Sequence, residues 1–226
     1  MKKILYTGSD LIPPNEKGKP TDLEYSVTLG TSDEARHCYM RAVKRMQNPE
    51  IWHDLAGWAS ASFKLLGAAD EQIVRLAVEG DFIRINVPGP GLVEGGGYDW
   101  VKIEKLEEYI DSSDYREWTG MKVRPCPAPG SEAALSAHFF RTEATSTFLI
   151  ERDGCKVTAY YHGRNEVPNT STPKWSDNVR NTVIAAGAMI GLSEAQWSAL
   201  SKGFLRVEIG GKPRLTATRS FFLCFS

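Results

Sequence analysis

Several familiar signatures are missing from this chain, and each absence removes a class of function. No C-x-x-C pair joins any of its four cysteines, Cys38, Cys126, Cys155 and Cys224. With no H-E-x-x-H either, neither a dithiol redox motif nor a dedicated zinc site is spelled out. Excess charge is missing: 27 basic against 28 acidic side chains leave a net charge of −1. A global electrostatic footprint for nucleic acid or an anionic membrane is therefore excluded. No apolar run approaches the ~18 residues of a membrane span. Lys2-Lys3 precedes too few apolar residues for a signal peptide, so the expected location is cytoplasmic. There the cysteines are expected as buried thiols.

A phosphate loop is also missing. The stretch Val87 to Trp100, VPGPGLVEGGGYDW, is rich in glycine but carries no lysine followed by a hydroxyl residue. Gly89-Pro90-Gly91 is followed by Glu94 where a dinucleotide fingerprint needs glycine. Pro88 and Pro90 remove amide donors that an anion would use. The segment reads as a wide hairpin loop, able to form the rim of a site. No cofactor and no metal are expected.

What is present is patterning. The chain, 226 residues and 42% hydrophobic, is long enough to bury roughly 70% of its unfolded surface. Leu23, Tyr25, Val27 and Leu29 alternate as a strand does. Thr31 to Glu34 has capping-box form, followed by an apolar stripe of Ala35, Cys38, Tyr39, Ala42, Val43 and Met46. Asn48-Pro49 ends that helix and starts another, with a stripe Ile51, Leu55, Ala59, Ser62 or Phe63, and Leu66, closed by Gly67.

The period then changes. Ile83/Ile85, Val101/Ile103 and Met121/Val123 alternate with polar residues, and strands near 144–152 and 155–163 flank Asp153-Gly154. Helices return, one from Ser176 to Gly191 and one opened by the capping box Ser193 to Gln196, with Leu192 and Trp197 placed as a hydrophobic staple. Strands about 205–209 and 214–219 follow. The fold class expected is α+β: an antiparallel β meander, either a small barrel or a helix-gripping curved sheet, with helices before and after it. One domain is expected over 1–226, with a mainly helical part (1–77), a β core (78–166) and C-terminal helices plus a hairpin (174–226).

Three functional readings follow. If the Ile and Val positions of the central strands face the core, then Phe82, Arg84, Trp100, Lys102, Lys122 and Arg124 face outward together, as a platform for stacking or for holding acidic groups. Glu104 sits in the same array, and the bland alternative is a solvated or helix-covered face. The favoured function is a non-catalytic ligand-binding or protein-interaction module, with its β core as platform or cavity. The second reading is a small-substrate hydrolase or isomerase using His162 with Arg164 or Glu166, within the polar run His162 to Glu166. The third is an assembly subunit, whose apolar tail of Phe221, Phe222, Leu223 and Phe225 seeks a neighbouring copy. Partners are thus an unidentified small molecule or protein.

Overall fold

The computed structural model describes residues 11–57, 61–68, 70–72, 74–86, 98–111, 116–130, 140–168 and 194–206, and the backbone of 208–209 and 212–213. Strand β1 (Thr21–Thr28) alternates in burial as its sequence alternates. Helix α1 (Ser32–Met46) begins at the capping box: Thr31 Oγ1 accepts from Glu34 N at 3.2 Å, and Glu34 Oε2 accepts from Thr31 N at 3.2 Å. Its six stripe residues are buried.

Asn48-Pro49 does turn the chain, through a 3-10 segment (Pro49–Ile51) into α2 (Trp52–Ala56). There the expected helix is too long by several residues. Gly57, at φ 99°, ends α2, and Ser62–Leu66 is instead strand β2. Phe63 and Leu65 fit a two-residue period as well as a helical one, and pairing with β3 (Phe82–Asn86) decides the matter.

Strands β4 (Asp99–Asp111), β5 (Arg116–Pro125), β6 (Thr145–Asp153) and β7 (Lys156–Arg164) complete a seven-stranded antiparallel sheet in the order β1-β7-β6-β5-β4-β3-β2. The turn between β6 and β7 is two residues, with Gly154 at φ 58° supplying the left-handed first position. A bulge at Ile103/Lys105 against β5 keeps Ile103 and Leu106 on one face while the strand bends. The sheet is curved and stays open, with β1 and β2 as its edges, so the helix-gripping form is the one adopted and the barrel is not.

Helix α3 (residues 194–204) and α1 fill the concave side. One core cluster joins Ala35 and Met46 of α1, Ile83, Ile103, Met121 and Phe148 of the sheet, and Leu200 and Phe204 of α3. Arg45 of α1 donates to the carbonyls of Phe204 (3.0 Å) and Arg206 (2.6 Å), satisfying the C-terminal end of α3. β8 (Glu208–Ile209) and β9 (Lys212–Pro213) form a short separate pair. The expected helix at 176–191, the strand at 214–219 and the tail Phe221 to Phe225 lie outside the described residues. Cys38 and Cys126 are free thiols, whereas Cys155, expected free, is disulfide-bonded. Among the described residues no helix is long and apolar enough to cross a membrane.

Candidate ligand site

Alternation along the strands divides the sheet into two chemically different faces. On the concave side a cavity of about 30 Å³ lies between sheet and helices, lined by Trp52, Ile83, Ile85, Val101, Val123, Phe140, Ser146, Phe148 and Trp197. Its walls are apolar, half aromatic and half branched aliphatic apart from Ser146. Phe148 touches Trp52 at a centroid distance of 5.0 Å and Trp197 at 5.4 Å, both tilted or edge-on. Trp52 is anchored by its indole N–H on Arg45 O at 3.0 Å. Trp197 is set by α3, whose Gln196 side chain accepts from Ala61 N at 2.8 Å.

One hydroxyl reaches this wall. Ser146 Oγ lies 3.0 Å from Tyr161 Oη, which in turn donates to Glu166 Oε1 at 2.7 Å. A phenol has one proton, so Ser146 is the donor to Tyr161 and keeps its own lone pairs for the cavity. Thr21 Oγ1 donates to the other Glu166 oxygen at 3.0 Å. Burial pushes the Glu166 carboxyl above its ordinary range, outweighing these two hydrogen bonds. Burial also holds the Tyr161 phenol well above its usual value.

The convex side carries the charged residues. Arg124, Lys102 and Phe82 form one cross-strand row, and Arg84 stands opposite Trp100 in the next. These five therefore share a face, joined by Lys122. Trp100 is only 4% exposed, in a small cluster with Leu66 and against Phe82, Tyr98 and Cys126. Arg84 lies over the rings of Tyr98 (4.5 Å) and Trp100 (5.9 Å), and Lys102 over Phe82 (5.8 Å). Glu104 at the bulge accepts from Arg124 at 2.5 Å and lies 3.4 Å from Lys122. Burial raises the Glu104 carboxyl, but Arg124 and Lys122 together leave it below its ordinary value. An open groove of about 480 Å³ runs beside these groups, between Glu79, Gly80, Lys102, Glu104 and Lys122.

The run His162 to Glu166 splits between the faces. His162 and Arg164 meet on Asp22: His162 Nδ1 stands 2.5 Å and Arg164 Nη2 2.7 Å from the same carboxylate oxygen. Glu166 is not with them, being turned to Tyr161 and Thr21. Sequence reasoning missed Asp22, because it lies 140 residues from its partner and only strand pairing joins them. Trp52, Phe140, Phe148 and Trp197 were equally hidden as site residues: aromatics on apolar faces look the same whether they pack solidly or line a gap. The loop 87–97 lies outside the described residues.

No family model matches the chain, and no curated protein matches it. Among solved structures it is similar to a hypothetical protein of Helicobacter pylori, at 14% identity and TM-score 0.48, over 89% of this chain and 95% of the other. Norcoclaurine synthase from Thalictrum flavum matches at 15% identity and TM-score 0.29, over 81% and 92% of the two chains. A major latex-like protein of Panax ginseng matches at 11% identity and TM-score 0.30, over 78% and 99%. At such identities and scores these likenesses carry no function over to this chain.

Proposed function

We propose that this protein is a non-catalytic binding module for a small, neutral and largely apolar molecule, held between the concave sheet and α3. The observation that supports it is the apolar cavity whose described lining holds no charged group and a single hydroxyl, Ser146. Recognition sites for such molecules combine apolar walls with a few placed polar groups. A space of about 30 Å³ takes only a group or two of water size. A larger ligand enters by displacing Trp197 and the helix that carries it.

The test is a titration with the neutral dye N-phenyl-1-naphthylamine, following dye emission and tryptophan quenching. Saturable one-to-one binding is expected, abolished by Ile85→Phe, which fills the cavity from β3, and unaffected by Lys102→Ala on the other face. Equal affinity in Ile85→Phe, or no binding by the wild type, would overturn the reading.

A second reading rests on the convex groove. Lys102 is exposed and has no ion-pair partner among the described residues, so an acidic ligand group finds a cation there. Loss of binding of an acidic ligand on Lys102→Ala or Arg84→Ala, with the dye site intact, would favour this face.

A further inference from the structure

The convex face of β6 and β7 holds two buried polar atoms that nothing in the cavity reading uses. Among the described residues, Thr145 Oγ1 and His162 Nε2 are buried and have no hydrogen-bond partner. Thr145 is 1% exposed. Both side chains point away from the core, since Ser146 and Tyr161, their neighbours in sequence, face it. Strand register places them diagonally on one face: Thr147 pairs with His162 and Thr145 with Arg164.

A strap of chain, residues 11–18, is held against these strands. At one end Leu11 is fully buried with Trp118, Leu149 and Tyr160, and its carbonyl accepts from Thr147 Oγ1 at 2.8 Å. At the other, Asn165 Oδ1 accepts from Glu16 N (2.8 Å) and Lys17 N (3.0 Å), while Asn165 N donates to Asn15 Oδ1 (2.8 Å). The strap is pinned at Thr147 and at Asn165, and Ile12 to Pro14 link these two anchor points at the end of β6 and β7 that carries Thr145. Pro13 and Pro14 have no N–H to offer. Those two residues of the strap can therefore donate no backbone hydrogen bond to a nearby acceptor.

The acceptor is well defined. Nδ1 faces a carboxylate oxygen at 2.5 Å and so carries the proton. A protonated Nε2 would bury an N–H with no acceptor, so the ring is neutral and Nε2 presents a lone pair. Tyr160 stacks on the ring at 5.9 Å and 14°, and Arg164 neutralises Asp22. The arrangement of a carboxylate behind an imidazole fixes both tautomer and ring orientation.

We propose that Thr145 and His162 form a second binding site, for a small neutral group bearing a hydrogen-bond donor beside an acceptor, such as a carboxamide, and that the strap Leu11–Gly18 is its lid. The donor of the ligand goes to His162 Nε2 and its acceptor takes the Thr145 hydroxyl proton. Because the charges of Asp22 and Arg164 cancel locally, a charged group gains nothing there. This inference is independent of the concave cavity.

The test loosens the strap in two ways, by Leu11→Ala and by Thr147→Val, the second removing only the hydrogen bond to Leu11 O. Both proteins are first checked for wild-type circular dichroism; if Leu11→Ala fails to fold, Thr147→Val carries the measurement. Diethyl pyrocarbonate should modify His162 at least about tenfold faster in the loosened protein than in wild type. Acetamide is then added while the Nε2 nitrogen resonance of His162 is followed by NMR. A saturable shift is expected in the loosened protein, with affinity reduced about tenfold when Thr145→Val is added, the size of one lost hydrogen bond. Unchanged modification rates overturn the lid. A resonance that acetamide does not move, or an affinity that Thr145→Val leaves unaltered, overturns the site.

Discussion

His162 shows how one side chain can report on its surroundings through pH. Burial holds its imidazole below the ordinary value of 6.5, and the repulsion of Arg164 adds to this; Asp22 opposes both without reversing them. A base with a depressed folded pKa binds protons more weakly folded than unfolded. Its contribution to stability is therefore complete above pH 6.5 and declines as pH falls through that value toward the folded pKa. Asp22 shifts the same way: burial raises it, but His162 and Arg164 bring it below its ordinary value, so its contribution is also lost on acidification. Wild-type melting temperature should fall between pH 7 and pH 5 more steeply than that of His162→Asn. Parallel curves would mean that His162 is solvated.

A second residue-scale prediction concerns charge in the interior. Arg152 Nε donates to Glu117 Oε1 at 2.5 Å, with both side chains under a tenth exposed. Arg152 also reaches Ser32 Oγ and Gly154 O at 3.3 Å. Removing one partner leaves a desolvated charge, so Arg152→Met should cost about 3–5 kcal/mol in urea unfolding. Replacing both, Arg152→Met with Glu117→Leu, should recover most of that loss, since a buried pair seldom outperforms well-packed apolar groups. A double variant as unstable as the single one would show that the hydrogen bonds to Ser32 and Gly154, and not the charge balance, set the cost.

At the scale of elements, the join between α3 and α2 is decided by a glycine. A Cβ on Gly203 would stand 2.6 Å from Leu55 O and 3.0 Å from its carbonyl carbon, both backbone atoms that cannot rotate aside. Alanine is the better helix former by about 1 kcal/mol, but overpacking costs about 1–3 kcal/mol. The clash is with backbone, so it should win. Gly203→Ala is expected to lower stability by about 1–2 kcal/mol net and to shift Trp197 fluorescence, as α3 moves off the sheet. A stabilised variant would mean that α3 already has freedom to slide.

The elements differ in how far their local sequence specifies them. α1 was legible because capping and stripe are local: Thr31, Glu34 and six apolar positions all lie within one helix. The five core strands were legible because Ile83, Val101, Met121 and their partners alternate over a face that is dry on one side. β2 was not, since Phe63 and Leu66 satisfy a helical stripe until a neighbouring strand offers backbone hydrogen bonds.

At the scale of the whole molecule, the open sheet offers two chemically distinct faces. A barrel of this size would fill its interior with side chains. An open curved sheet leaves its concave side to be closed by a helix. The gap it encloses is set by how Trp197, Phe204 and Leu200 of α3 seat against Phe148. Phe148 touches Trp52, Tyr161, Trp197 and Phe204 at once. Phe148→Ala should therefore cost about 3–5 kcal/mol and, where the protein still folds, strengthen dye binding by enlarging the cavity. Loss of stability with weakened binding would place the dye elsewhere.

Taken alone, the amino-acid sequence determined which segments are helix or strand wherever period and cap agree, and that Arg84, Lys102 and Arg124 lie opposite the Ile and Val positions of the central strands. Those are short-range properties, set by residues within a turn or two of one another. Only tertiary structure decided that the sheet stays open and that Asp22, 140 residues away, orients His162. It likewise decided that Glu166 turns to Tyr161 and that the segment from Leu11 is held against Thr147 and Asn165. Each of these depends on contacts between distant segments, whose partners no local pattern names.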